Sequence, residues 1–275
     1  HWMSEAVRNY YNAFDEWARL ETSAGRLEFE RTLRHLVDRI PPHSAVLDVG
    51  GGPGRYTMAL AARGHEVWLL DPSEALIHSA SSRIQAAGLQ DRVVDVSIGD
   101  IRDLSRFDAD RFDTTLALGP FYHLIESDSR RTAAAELFRT LRPGGEAFVS
   151  IIPHLSGLAG LVARAASDPE QVPPAALDRV LSEGVYLNPT DRGFQEGYYP
   201  QLSDIEGLFL ETGFELVDRF SIRGLAFGAE EAIGGPRPDS DSIERLIEST
   251  CREDTVLNLC GHVLLTARKP NPSVS

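Results

Sequence analysis

Val46-Leu47-Asp48-Val49-Gly50-Gly51-Gly52-Pro53-Gly54-Arg55-Tyr56 is the stretch on which the reading of this chain turns. Apolar residues run into an acid, and glycine then takes every second position. Asp48, Gly50, Gly52 and Gly54 thus form an acid-x-Gly-x-Gly-x-Gly series. The pattern predicts a buried strand, a tight turn and the start of a helix. Glycine permits positive φ and lets a ligand lie directly on the backbone. The following helix points its unsatisfied N–H groups at whatever sits there.

Outward from this turn, short apolar runs alternate with helical periodicity. Strands are expected at 45–49, 66–70, 93–98, 112–118 and 146–152, and helices at 55–63, 74–87 and 128–141. Repeated βα units imply a parallel sheet with helices on both faces. Near-continuous apolar strands such as Val67-Trp68-Leu69-Leu70 fit burial on both sides. Arg142-Pro143-Gly144-Gly145 reads as a helix stop and turn before the fifth strand.

Residues 153–200 break the alternation with prolines and glycines, and short helices are expected near 155–166 and 174–183. An insert of this length is usually functional. Beyond it, Ser203 or Asp204 is expected to cap a helix ending near Gly213. Strand-like 214–222, a Gly-rich segment at 224–236, a helix near 241–251 and a last strand at 262–268 follow. That makes seven strands, the last two expected as an antiparallel pair at the edge. Ahead of the sheet, Val7, Tyr10, Tyr11, Phe14, Trp17 and Leu20 recur at helical spacing. Thr22 or Ser23 is placed to cap a second helix, which Pro41-Pro42 ends. The aromatic stripe fits either core packing or a lid over a pocket.

Composition narrows the function. Hydrophobic content of 42% and charged content of 25% describe a globular protein. No apolar run approaches the roughly 18–20 residues that span a bilayer, and the opening residues do not read as a secretory leader. The expectation is a cytoplasmic protein without a membrane partner. The formal net charge of −14 disfavours nucleic acid as a partner. Cys251 and Cys260 lack C-x-x-C spacing and clustered histidines, so free thiols are expected and no metal site. A monomer or homodimer is expected.

Two ligand classes use a turn of this kind. A dinucleotide turn needs G-x-G-x-x-G, and here Arg55 stands where its third glycine belongs. The acid ahead of the glycines would repel a phosphate and suits a ligand carrying a positive group. The series resembles motif I of the class I S-adenosylmethionine (SAM) methyltransferases, in which the acid serves the methionine ammonium and the glycines pass under the ligand. The resemblance extends through Leu118-Gly119-Pro120-Phe121-Tyr122-His123 after strand four and Leu141-Arg142-Pro143-Gly144-Gly145, and covers residues 44 to about 152. It is to enzymes acting on small molecules. The Asn-Pro-Pro-Tyr/Phe signature of amino-methylating nucleic-acid and protein-glutamine enzymes is missing from the fourth motif, which puts those substrates in doubt.

The implied fold is an α/β, doubly wound, seven-stranded, mostly parallel Rossmann-like sheet forming one domain. Residues 4–40 would be an N-terminal helical cap, 44–152 the SAM-binding core, 153–200 a lid and substrate insert, and 201–269 the C-terminal part of the sheet. The expected SAM contacts are Tyr11, Asp48, Gly50, Gly51, Gly52, Gly54, Asp71 with Pro72 and Ser73, Asp100 and Ile101, and Leu118 and Gly119. Asp71, at the end of strand two, is placed to accept ribose hydroxyls, unless it only caps the next helix. Asp100 and Ile101 are placed for the adenine.

Methyl transfer needs a dry, aligned pocket and a base only where the acceptor must lose a proton. His123 and His154 are the candidate bases; no base at all is the third option. Tyr10, Phe14, Trp17, Phe121, Tyr122, Tyr186, Tyr198 and Tyr199 are expected to enclose a small acceptor, with Arg192 or Arg223 available to a carboxylate. The expected activity is methylation of O or N on a small molecule, with S-adenosylhomocysteine (SAH) as product. C-methylation of a quinone-like ring and SAM binding without transfer are the alternatives.

Overall fold

In the computed structural model, residues 16–233 and 240–272 are described. Tyr10, Tyr11 and Phe14 lie outside them. In chain order the elements run α1 (Glu16–Arg19), α2 (Ser23–Arg39), β1 (Ala45–Val49), α3 (Arg55–Ala61), β2 (Glu66–Asp71), α4 (Glu74–Ala86), β3 (Val93–Ile98) and β4 (Phe112–Ala117). Then come α5 (Ser127–Thr140), β5 (Leu141–Ile151), α6 (His154–Ser167), α7 (Pro174–Glu183), β6 (Val185–Leu187), β7 (Glu196–Tyr198) and α8 (Leu202–Thr212). The chain closes with β8 (Glu215–Ser221), α9 (Glu230–Ile233), α10 (Ser240–Thr250), α11 (Asp254–Leu259) and β9 (Val263–Arg268).

Seven strands form one sheet in the order β3-β2-β1-β4-β5-β9-β8. β1, β2, β3, β4 and β5 pair in parallel, and β9 is antiparallel to both its neighbours. The alternation of side chains along each strand divides the core in two. Leu47, Trp68, Leu70, Ala117, Ala147 and Val149 face one helical layer. Val46, Val67, Leu69, Leu116 and Phe148 face the other. Both faces are covered, which is why these strands read as unbroken apolar runs.

The chain leaves β1 outward through β2 and β3, then returns to place β4 on the opposite side of β1. This reversal opens a crevice beyond the carboxyl ends of β1 and β4, where open α/β sheets bind ligands. The glycine turn follows β1, Asp71 closes β2, and Leu118 follows β4.

Several expectations need correction. The last two strands do pair antiparallel, but β9 inserts between β5 and β8, so of this pair only β8 is an edge strand. β5 begins at Leu141, because Leu141 already pairs with Phe112 ahead of an irregularity in the ladder. α8 begins at Leu202 with Gln201 as its N-cap, ahead of Ser203 and Asp204. Thr22 caps α2, its hydroxyl accepting from the Gly25 N–H at 3.0 Å. The insert contains a two-stranded β6–β7 hairpin that the sequence pattern does not reveal.

Candidate functional site

The glycine turn makes the floor of a cleft. The Gly50 N–H donates to the Leu70 carbonyl at 2.7 Å, which ties the turn to the end of β2. Gly50 has φ of 71°, and a Cβ there would sit 2.6 Å from the Pro120 ring. A Cβ on Gly51 would sit 2.3 Å from Leu69 Cδ1 and 2.6 Å from the Asp48 carboxylate. Neither position has room for a side chain, so bare backbone faces the cleft.

Two buried acids flank this floor. Asp48 accepts from the Thr57 hydroxyl at 2.7 Å, and burial lifts its pKa to about 6. Asp71 accepts from the backbone N–H groups of Gly52 and Ser73, each at 2.9 Å, and burial lifts it to about 7. Gly50, Gly51, Gly52, Pro53, Asp71 and Pro72 line the cleft, together with Leu118, Gly119, Tyr122 and His123 after β4. Glu16 and Arg19 of α1, Leu20 just after it, and Glu28 and Thr32 of α2 add to its wall. Arg19 binds Glu16 at 2.7 Å and Glu28 at 3.2 Å.

A second cavity, of about 330 Å³, shares Glu16, Arg19 and Tyr122 with the cleft. One face of α6 supplies Ser156, Gly157, Gly160 and Arg164, and Phe194 and Tyr199 come from the end of the insert. Arg223, Phe227, Gly261 and His262 form the opposite wall. Gly157 is required by packing, since a Cβ there would meet the Tyr199 ring at 2.2 Å; Gly160 has nothing within 4 Å. The Ser156 hydroxyl accepts from the Gly261 N–H at 2.8 Å and joins the two walls.

Residues 46–145 match the methyltransferase-domain family. The fold is that of a solved Burkholderia thailandensis enzyme, 1,6-didemethyltoxoflavin-N1-methyltransferase, which holds 1,6-didemethyltoxoflavin and SAH. The TM-score is 0.57 at 19% identity, covering 97% of this chain and 88% of that one. The chain is a SAM-dependent methyltransferase with the class I fold. Two curated relatives show where the methyltransferase is similar in sequence. The tRNA 5-carboxymethoxyuridine methyltransferase of Escherichia coli O157:H7 is 26% identical over 242 residues, covering 86% of this chain and 84% of the relative. The ubiquinone biosynthesis O-methyltransferase of Xylella fastidiosa is 35% identical over 121 residues, covering 44% of this chain and 47% of that enzyme.

The residues present suit SAM. The methyltransferase offers bare glycine backbone at Gly50 and Gly51, buried acids at Asp48 and Asp71, and Thr32, whose buried hydroxyl has no hydrogen-bond partner among the described residues. Asp71 serves the fold as well, because it already holds two backbone N–H groups. Each carboxylate oxygen keeps a further lone pair with which to accept from a ribose hydroxyl. Gly54 and Ser73 sit just behind the lining as N-caps of α3 and α4.

The other predicted contacts fall elsewhere. Asp100 is ion-paired with Arg102 at 2.8 Å, Ile101 is 1% exposed within the core, and neither is among the residues lining the cleft. His154 is not in either wall; its Nδ1–H donates to the Tyr199 carbonyl at 3.1 Å and fixes the start of α6. Phe121 packs on Phe209 in the main core. Tyr186 is fully buried and donates to the Gln171 carbonyl at 3.0 Å. Tyr198 lies under the Arg130 guanidinium, 3.6 Å from ring centroid to carbon. Arg192 is drawn to Asp168 at 2.9 Å and Glu170 at 2.8 Å, outside both cavities.

Trp17 stacks between Arg55 and Arg83, at 4.5 and 3.9 Å, and thereby holds α1 over α3 and α4. Tyr122, His123 and Tyr199 do line the cavities. Sequence reasoning missed Arg19, Glu28, Thr32, Arg164 and His262, none of which belongs to a motif. Among the described residues no group of three or more His, Cys, Asp or Glu side chains is arranged to hold a metal, and no helix is long and apolar enough to cross a membrane.

Both acids have folded-state pKa values above the ordinary carboxylate value. Ionising them therefore costs the empty fold stability as pH rises from about 4 to about 7. A ligand that donates to Asp71 and places an ammonium near Asp48 favours the ionised forms. SAH affinity is expected to rise with pH up to about 7 and level off above it, with protons released on binding below that point. Calorimetry in buffers of different ionisation enthalpy measures both, and pH-independent affinity between 5 and 7.5 would contradict the assignment.

Proposed function

We propose that this methyltransferase transfers the methyl group to O or N of a small-molecule acceptor held in the second cavity. The observation that carries the reading is the junction of the two spaces. Tyr122, Glu16 and Arg19 belong to both walls, so an acceptor in the second cavity abuts whatever fills the cleft. A cavity of about 330 Å³ with aromatic walls is in the range used by small ligands. The insert and α1 act as its enclosure, and the protein works in the cytoplasm.

Bound SAM supplies an activated methyl group on a sulfonium. The protein's part is to hold the acceptor in line and to exclude water. Where the acceptor must lose a proton, the proposal gives that role to His123, which lines the cleft. Its Nδ1–H donates to the Glu196 carbonyl at 3.2 Å, which puts the ring lone pair on Nε2, and burial lowers its pKa to about 4, so the ring is neutral at pH 7. A base this weak suits an acceptor whose proton becomes acidic only as the new bond forms.

A tRNA acceptor is the second reading, favoured by similarity over 86% of the chain to an enzyme named for tRNA. The net charge of −14 supports the small molecule instead. Incubation with methyl-labelled SAM decides between them. Label is expected in the small-molecule fraction of a metabolite extract and not in total tRNA, including tRNA isolated without this enzyme; label in tRNA alone would overturn the proposal.

A further inference from the structure

Three arginines line the second cavity, and they are not equivalent. Arg19 is held by Glu16 and Glu28, and Arg223 donates to Glu230 at 2.8 Å. Arg164 has no carboxylate partner among the described residues. One of its Nη groups donates to Gln171 Oε1, a neutral acceptor, at 3.2 Å. The guanidinium is fixed in place all the same. It lies 5.5 Å from the Tyr186 ring centroid and 5.7 Å from that of Phe194, and Gln171 is itself tied to Asp168 at 2.8 Å.

The Nε atoms of Arg164 and Arg223 are both buried without a hydrogen-bond partner among the described residues. Four buried side-chain atoms share that condition, and two of them are on arginines of this one cavity. A buried polar group left unpaired is costly and calls for a cause. A guanidinium held rigidly against aromatic faces, with no carboxylate of its own, is a prepared anion site.

Resting on the reading of this cavity as the acceptor site, we propose that the acceptor carries a carboxylate that binds Arg164, with Arg223 completing the positive wall. The rings of Phe194, Tyr199 and Phe227 line the same cavity, which points to an aromatic or conjugated carboxylic acid. Its charge would be recognised in a chain whose net charge of −14 otherwise repels anions.

The test uses the full chain saturated with SAH, titrated with 4-hydroxybenzoate and with its neutral methyl ester. The acid is expected to bind about tenfold tighter than the ester. Arg164→Met keeps a chain of similar length between the rings and is expected to abolish that difference, and Arg164→Lys to restore part of it. SAH affinity stays unchanged in both variants and controls for folding. Equal binding of acid and ester, or an acid preference that survives Arg164→Met, overturns the proposal. Ester bound better than acid, and lost when the cavity is filled by Gly160→Phe, overturns the carboxylate but keeps the cavity as acceptor site. Failure of both probes to bind overturns both.

Discussion

Replacing Asp71 by alanine is expected to weaken SAH binding by about 100-fold or more, close to 3 kcal/mol. Two effects add. The carboxylate that would accept from the ribose is gone, and hydrogen bonds to charged groups are worth about 1.5–3 kcal/mol each. The N–H groups of Gly52 and Ser73 also lose their acceptor, and each orphaned buried donor costs about 1–3 kcal/mol. The turn and the start of α4 therefore loosen together.

Asp71→Asn separates the two effects. Its amide oxygen still accepts one of the N–H groups while the charge is removed. It is expected to melt between the parent and Asp71→Ala, since one of the two N–H groups loses its acceptor, to bind SAH about tenfold more weakly, and to lose the part of the pH dependence that titrates near 7. Calorimetry and thermal melting together read all three. Wild-type affinity in Asp71→Ala would show that the carboxylate only shapes the turn.

The cleft floor was legible in the sequence because it is local. Asp48, the glycines and Asp71 lie on consecutive βα units, and each sits at a strand end that periodicity alone can place. The second cavity, the proposed acceptor site, was not legible, for a physical reason. Its walls come from α1, the ends of β4 and β5, α6, the β7 end of the insert and the loops around β8 and β9. These meet only because β9 folds back between β5 and β8.

Arg164 and His262 are single residues without a motif, and nothing in their neighbours marks them. The tyrosines of the insert were visible but ambiguous. Tyr186 and Tyr199 are both in the small core under α6 and α7, and only Tyr199 reaches the cavity. An aromatic-rich insert must bury its own core before it can line a pocket, and composition does not divide one use from the other. Arg192 was misplaced by the same logic, because the carboxylates that claim it lie more than twenty positions earlier in the chain.

Gly160→Phe is expected to cut acceptor turnover by about 100-fold while leaving SAH affinity within about twofold of the parent. Gly160 lies on the face of α6 that lines the second cavity, and a Cβ there meets nothing within 4 Å. An added ring enters open space and displaces the acceptor without pushing on the fold. Helix stability should not suffer, since glycine inside a helix is less favourable than alanine by about 0.8–1 kcal/mol and phenylalanine falls between them. The substitution is thus the reverse of Gly157→Ala, one turn earlier, where the new methyl would strike the Tyr199 ring and lower the melting temperature. Gly160 is absent from the wall of the cleft, so a fall in SAH affinity is not expected. The decisive measurement is a pair of titrations, SAH alone and then acceptor onto the SAH complex, beside the initial rate of methyl transfer. An unchanged rate in Gly160→Phe would show that the acceptor enters the cleft by another route, and the second cavity would then have no part in the reaction.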